Sequence, residues 1–209
     1  MRSIGNEYLV LRDDDPARAD VEARGYKVVG ESWAARLRLH GPSRARADAP
    51  DLSIFHQAVA RVQAAGIDVS ELPVTCLDAL YELERANNAD YPYTPATAHG
   101  LIDADATRAL WNEGLRVFGA RDGNLLVGAS LIAQMGTYAE TEFTSVLASH
   151  RGRGIGAAVK AASVIACAGE GGRVFGTGGA AVNAGSLGMN RALGYIITER
   201  WYSYQLLRR

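Results

Sequence analysis

Apolar positions recur along this chain in two periods, and the period separates helix from strand. Leu52, Phe55, Val59 and Val62 form one stripe at helical spacing, which predicts a helix over 51–65 capped by Asp51. Leu77, Leu80, Tyr81 and Leu83 predict a second over 73–88, and Ile155, Val159, Ala162 and Ile165 a third behind a glycine-rich turn. Elsewhere the pattern is extended. A short strand over 67–72 is expected, then a meander over 115–121, 125–134 and 141–147. The first two of those strands are joined by Asp122-Gly123-Asn124, where Gly and Asn tolerate positive φ. An irregular stretch over 87–99 and a short helix over 103–112 come before the meander. After it come a strand at 174–176, a helix over 183–193 and two closing strands. The fold class is α+β, mixed α and β around one sheet.

The two ends of the chain resemble each other. Gly25-Tyr26 leads through an extended run to Trp33 and Leu39; Gly194-Tyr195 leads through another to Trp201 and Leu207. Each is preceded by a helical run and, before that, a short strand. The Tyr-to-Trp spacings differ by one residue, which a bulge absorbs. Residues 1–40 therefore read as a β-α-β-β unit copied from the back of the main domain, or as a chance likeness. A Pro-containing, charged, apolar-poor linker opens the stretch 41–66, and the main domain is 67–209.

Composition narrows the functional classes. The 209 residues carry a net charge of -1, against the basic excess usual for a nucleic-acid binder. No apolar run approaches the length of a membrane span, and the first residues lack the apolar stretch of a signal peptide. Cys76 and Cys167, both in apolar helical settings, read as reduced core residues of a cytoplasmic protein. His40, His56, His99 and His150 are scattered without metal-ligand spacing, so no metal is expected.

The candidate chemistry centres on Ser149-His150-Arg151-Gly152-Arg153-Gly154-Ile155-Gly156, at a strand-to-helix junction. The first turn of a helix leaves N–H groups unpaired and carries partial positive charge. Glycines let that backbone approach a phosphate, and arginines add donors. A P-loop would need Lys-Ser or Lys-Thr directly after its last glycine; here Gly156 precedes Ala157, Ala158 and Val159. A dinucleotide fingerprint matches at Gly152, Gly154 and Ala157, but the preceding strand is polar on alternate positions and no acid ends the next one. A plain glycine-rich turn leaves the interleaved arginines unexplained. The remaining reading is Arg-x-x-Gly-x-Gly.

With that loop, Thr144-Ser-Val-Leu147 before it and Asn183 to Met189-Asn190-Arg-Ala-Leu-Gly-Tyr195 after it, the chain from about Ile67 onward resembles the GNAT superfamily of acetyl-CoA-dependent N-acetyltransferases. The resemblance implies a central, mostly antiparallel twisted sheet flanked by helices. It implies that Arg151, Gly152, Arg153, Gly154, Ile155 and Gly156 wrap the pyrophosphate of acetyl-CoA. Backbone groups of Val146 and Leu147 would meet the pantetheine arm and the thioester. Asn183, Ser186 and Asn190 would contact the cofactor from the next strand and helix. Residues 1–40 would then be the vestigial half of a tandem protein.

An amine of pKa near 10.4 is only about 0.04% neutral at pH 7, so acetyl transfer to it calls for a base. Glu140 and Glu142 are the candidates, on the expectation that positions 140, 142 and 144 of an extended strand share a side; both also read as solvated acids. The Val146 or Leu147 N–H would hold the oxyanion. Many relatives carry a Tyr seven residues after the Asn to protonate the departing thiolate. Here that position is Asn190, so Tyr202, Tyr204 or a water would serve. Tyr91, Tyr93, His99 and Trp111 line an acceptor pocket or form a satellite core. The expected function is transfer of an acetyl group to a primary amine, of a small molecule, by a monomer or homodimer. The alternatives are a protein-lysine acetyltransferase and a non-catalytic acyl-CoA sensor.

Overall fold

The computed structural model describes residues 2–4, 8–40, 50–88, 92, 94–97, 105, 108–109, 111 and 113–206. The linker over 41–49, Tyr91, Tyr93 and His99 lie outside them, as does most of the helix expected over 103–112. Four described residues of that helix, Asp105, Arg108, Ala109 and Trp111, are helical.

Nine strands form one sheet: β1 (Arg2–Ile4), β2 (Tyr8–Arg12), β3 (Tyr26–Arg38), β4 (Asp68–Glu71), β5 (Leu115–Asp122), β6 (Leu125–Met135), β7 (Tyr138–Val146), β8 (Val174–Ala180) and β9 (Ile196–Leu206). Their order is β1-β2-β9-β3-β8-β7-β6-β5-β4. Neighbours pair antiparallel except β7 and β8, which are parallel. The helices are α1 (Ala17–Ala23), α2 (Ser53–Ala64), α3 (Leu77–Asn87), α4 (Ile155–Gly169) and α5 (Ala184–Ala192). The helix expected over 51–65 is α2, where Asp51 accepts the Ser53 N–H at 2.9 Å.

The stripes read from the sequence face the sheet from both sides. On one face, Phe55 and Val62 of α2 and Ile155, Val159 and Val164 of α4 pack over Ala120, Val127, Ile132 and Phe175. On the other, Leu80 and Leu83 of α3 pack over Val117, Leu126 and Leu131. Burying one such side chain contributes roughly 1.5–3 kcal/mol. Two glycines allow this closeness. A Cβ at Gly119 would lie 2.5 Å from Leu72, and one at Gly128 would lie 2.7 Å from Ile155, the first residue of α4.

The N-terminal residues are not an appendage. The main domain was expected to supply two closing strands, but its C-terminus supplies only β9. The place between β8 and β9 is taken by β3, a single 13-residue strand where two shorter ones were expected. Ser32 stands opposite Trp201 and Trp33 opposite Arg200. Exchanging Trp33 with Trp201 and Ser32 with Arg200 maps one pair onto the other, so a local two-fold axis passes between them. The flanking strands obey it: Trp201 pairs with Arg12 of β2, and Trp33 with Gly179 of β8. Gly25 and Gly194, at the matching helix ends, take φ of 91° and 86°, the left-handed region that glycine favours.

The candidate active site at a fork in the sheet

β7 and β8 pair only from Tyr138 opposite Val174 to Glu140 opposite Gly176. Beyond Glu140 the two strands have no register partners in each other, and the sheet forks. Polar backbone groups must point somewhere, and the ladder with β6 decides where. The Leu147 N–H donates to Val127 O at 2.9 Å, with Val146 opposite Gly128. In an antiparallel ladder that pattern turns the Val146 N–H and C=O away from β6, into the fork. The Leu147 N–H is therefore spent, and of the two backbone donors expected for an oxyanion only Val146 faces the fork.

The glycine turn closes the mouth of the fork. Gly152 and Gly154 take φ of 77° and 81°, and Gly154 is the residue before the first turn of α4. A Cβ at Gly152 would meet nothing within 4 Å, so the turn faces open space. A cavity of about 410 Å³ lies there, walled by the turn, by Thr144, Ser145 and Val146 of β7, by Asn87 of α3, and by Asn183, Ser186 and Met189 at the start of α5. Met189 approaches because Gly156 has no side chain: a Cβ there would stand 3.1 Å from its sulfur. The first N–H groups of a 15-residue helix thus point at a cavity bounded by small residues, a setting suited to a phosphate.

Arg151, Gly152, Gly154, Ile155, Gly156, Val146, Asn183 and Ser186 all wall this cavity. Arg153 sits on the same turn, 3.9 Å from Asp122. Arg151 is tethered: its Nε donates to Val146 O and its Nη2 to Asn87 Oδ1, both at 3.0 Å. Asn183 accepts the Ser186 N–H at 3.0 Å and so caps α5. His150, also in the wall, stacks its contacts on Ser149 and Asp122.

Other expected site residues are elsewhere. Asn190 is 2% exposed and donates inward to Ser186 O at 2.9 Å, so it is a buried helix residue and no part of the wall. Tyr202 pairs with Leu11 and Glu31 and lies under the Arg18 guanidinium, 4.3 Å from ring centroid to Cζ. It belongs to the packing of α1. Tyr204 is buried there too, bonded to Arg18 and Glu22.

Glu140 and Glu142 are not wall residues either. Ile132 pairs with Thr141 and Leu131 with Phe143, which leaves Glu142 as the extra residue of a bulge. The bulge shifts the alternation. Glu140 and Ser145 lie on the α3 face, paired with Ala133 and Ala129, whereas Thr144 lies on the α4 face, bonded to Ser130 at 2.9 Å. The expectation that 140 and 144 share a side fails for that reason. Glu140 accepts the Tyr138 hydroxyl and lies 3.9 Å from Arg36. Burial and that carboxylate push the Tyr138 phenol up to about 12. Partial desolvation and the nearby Glu140 hold the exposed Glu142 carboxyl above its ordinary range.

Two buried ionisable groups escaped the sequence reading. Lys160 of α4 is 1% exposed, donates to Thr177 at 2.8 Å and sits 4.5 Å over the Tyr195 ring. Burial pushes its ammonium down to about 7. Glu84, one turn before Asn87 on α3, is pushed up to about 7 by burial, against the Ser145 hydroxyl that favours its ionised form. Lys160 and Glu84 look like ordinary helix-surface charges in sequence.

No family model matches the sequence, and no curated protein matches it. Many solved structures do share its architecture. A GCN5-related N-acetyltransferase-like protein from Streptococcus suis 89/1591 superposes with a TM-score of 0.62 at 15% identity, over 94% of this chain and 70% of that one. A GCN5-related N-acetyltransferase from Sphaerobacter thermophilus gives 0.64 at 19%, over 94% and 58%. A tandem GNAT protein from the clavulanic acid biosynthesis pathway gives 0.59 at 19%, over 97% and 65%. At such identities the likeness is one of architecture, and it extends to a tandem protein. The forked, mostly antiparallel sheet with a glycine turn at its mouth is the fold of the GCN5-related N-acetyltransferases.

Proposed function

We propose that this protein transfers an acetyl group from acetyl-CoA to a primary amine of a small molecule. The observation that carries the reading is the fork itself. It places a helix N-terminus, two left-handed glycines and the outward Val146 N–H around one cavity. The residues suit the cofactor: N–H groups of the turn and first turn of α4 would take the pyrophosphate, with Arg153 nearby, and Val146, Asn183 and Ser186 would bind the arm. Acetyl-CoA supplies an activated thioester. The net reaction forms an N–C bond, breaks the C–S bond, and moves one proton from nitrogen to sulfur. The chain's own part is to hold the carbonyl beside the Val146 N–H, where negative charge develops. It must also take a proton from the ammonium form of the acceptor.

Residues 1–40 are read as the vestigial half of a tandem protein; the two-fold relation of Trp33 and Trp201 supports this. Cys76 and Cys167, both free thiols, fit a cytoplasmic setting. Among the described residues no helix is long and apolar enough to cross a membrane.

The test is release of free thiol from acetyl-CoA in the presence of a panel of small amines, and of a lysine peptide. Thiol release with small amines supports the reading, and release only with the peptide transfers it to protein lysine. Calorimetric binding of coenzyme A with no release for any amine would make the protein a sensor.

A further inference from the structure

A hydrogen-bonded chain leads out of the cavity wall to a carboxyl that no motif marks. Arg151 can only donate, so the Asn87 amide must turn its Oδ1 to Arg151 and its Nδ2 to Ser145. Asn87 Nδ2 then donates to Ser145 Oγ at 2.7 Å. With that lone pair used, the Ser145 hydroxyl proton is available to Glu84, whose carboxyl it contacts. Ser145 is a wall residue of the cavity, and Glu84 stands behind it. The Glu84 Oε1 is buried and has no hydrogen-bond partner among the described residues. A buried carboxyl with an unpartnered oxygen is costly, which makes a purely structural role a poor account of it.

We propose, resting on the acetyltransferase reading, that Ser145 and Glu84 form a proton relay for an acceptor that arrives as an ammonium ion. Ser145 Oγ accepts a proton from the ammonium nitrogen while passing its own to the Glu84 carboxylate. One N–H bond breaks, one O–H bond forms at Glu84, and the acceptor is left as a neutral amine with a free lone pair. The carboxyl later returns its proton to water by the same path. Ser145 touches the acceptor; Glu84 acts through it. A group poised near 7 can both take and return a proton at neutral pH. The other titratable groups around it are Tyr81, Glu82 and Arg85 on α3, Arg151 at Asn87, and Glu140 on the same face of β7. β6 presents only Ala129, Leu131 and Ala133 to this side.

The experiment compares the full-length protein with Glu84→Gln and Ser145→Ala. It measures thiol release against pH for an alkylamine and for an arylamine that is already neutral at pH 6. With the alkylamine, both variants should lose about 10²–10⁴-fold in kcat. Glu84→Gln should also lose the acidic limb of the pH profile. With the arylamine, both variants should stay within a few-fold of the parent, at unchanged KM for acetyl-CoA. Equal losses with both amines, or an acidic limb retained in Glu84→Gln, overturns the relay while leaving the acetyltransferase reading intact. A parent protein inactive with every amine overturns both.

Discussion

Arg151 Nη2 donates to Asn87 Oδ1 at 3.0 Å, joining the glycine turn to the end of α3 across 64 residues of sequence. Its Nε reaches Val146 O at the same distance. The guanidinium that the sequence offers as a phosphate ligand therefore also fastens two walls of the cavity together. Arg151→Ala should lower both the thermal midpoint and the affinity for coenzyme A. Each charge-assisted bond is worth on the order of 1.5–3 kcal/mol, so about a tenfold or greater loss of affinity is expected. Arg153→Ala should leave the midpoint nearly unchanged, since Arg153 is exposed and 3.9 Å from its partner. Differential scanning fluorimetry and calorimetry on the two variants check this; an unaltered midpoint in Arg151→Ala would remove the tether.

The position of the helix N-terminus depends on Gly128. A methyl group there would lie 2.7 Å from Ile155, and neighbouring α4 would have to shift. Gly128→Ala should cost roughly 1–3 kcal/mol in stability and weaken coenzyme A binding, although residue 128 is outside the cavity wall. Urea denaturation together with calorimetry separates the effects. Reduced stability with full affinity would show that α4 does not move.

Lys160 gives stability a rising limb at alkaline pH. Its ammonium is pushed down to about 7 in the folded protein, from an ordinary 10.5. Between those values the unfolded chain binds the extra proton, so stability increases as pH rises through this window. Below pH 7 the buried charge is present in the fold and its full penalty applies. The difference is on the order of 5 kcal/mol across the window. Lys160→Met should flatten that limb and raise stability at pH 6–7. Chemical denaturation at a series of pH values reads it directly; a limb that persists in the variant assigns it to another group.

Removing residues 1–40 should prevent folding, although they hold no wall residue of the cavity. Without β3, the facing edges of β8 and β9 lose their partners, and Trp33, only 3% exposed, leaves the core. Expression of 41–209 alone should yield aggregated protein by size-exclusion chromatography. A soluble, cooperatively melting fragment would show that the N-terminal strands are dispensable.

The sequence by itself determined the local elements and the glycine turn. Helical and extended periods are properties of neighbours a few residues apart, and the stripes of α2, α3 and α4 all face the core. Glycines at 152 and 154 were legible because a strand-to-helix turn needs left-handed φ there. The likeness of Gly25-Tyr26…Trp33 to Gly194-Tyr195…Trp201 was legible too. Only the tertiary structure decided where these parts go. That β3 lies between β8 and β9 is a matter of pairing across more than 130 residues, which no local period encodes. One bulged residue, Glu142, reverses the side on which Thr144 lies relative to Glu140, and a bulge of two opposite one leaves the apolar pattern nearly unchanged. The state of Glu84 and Lys160 depends on desolvation by distant elements. The same is true of Asn190, turned inward to Ser186, and of Tyr202, held by Arg18. Charge is written in the chain, but the dielectric around it is made by the fold.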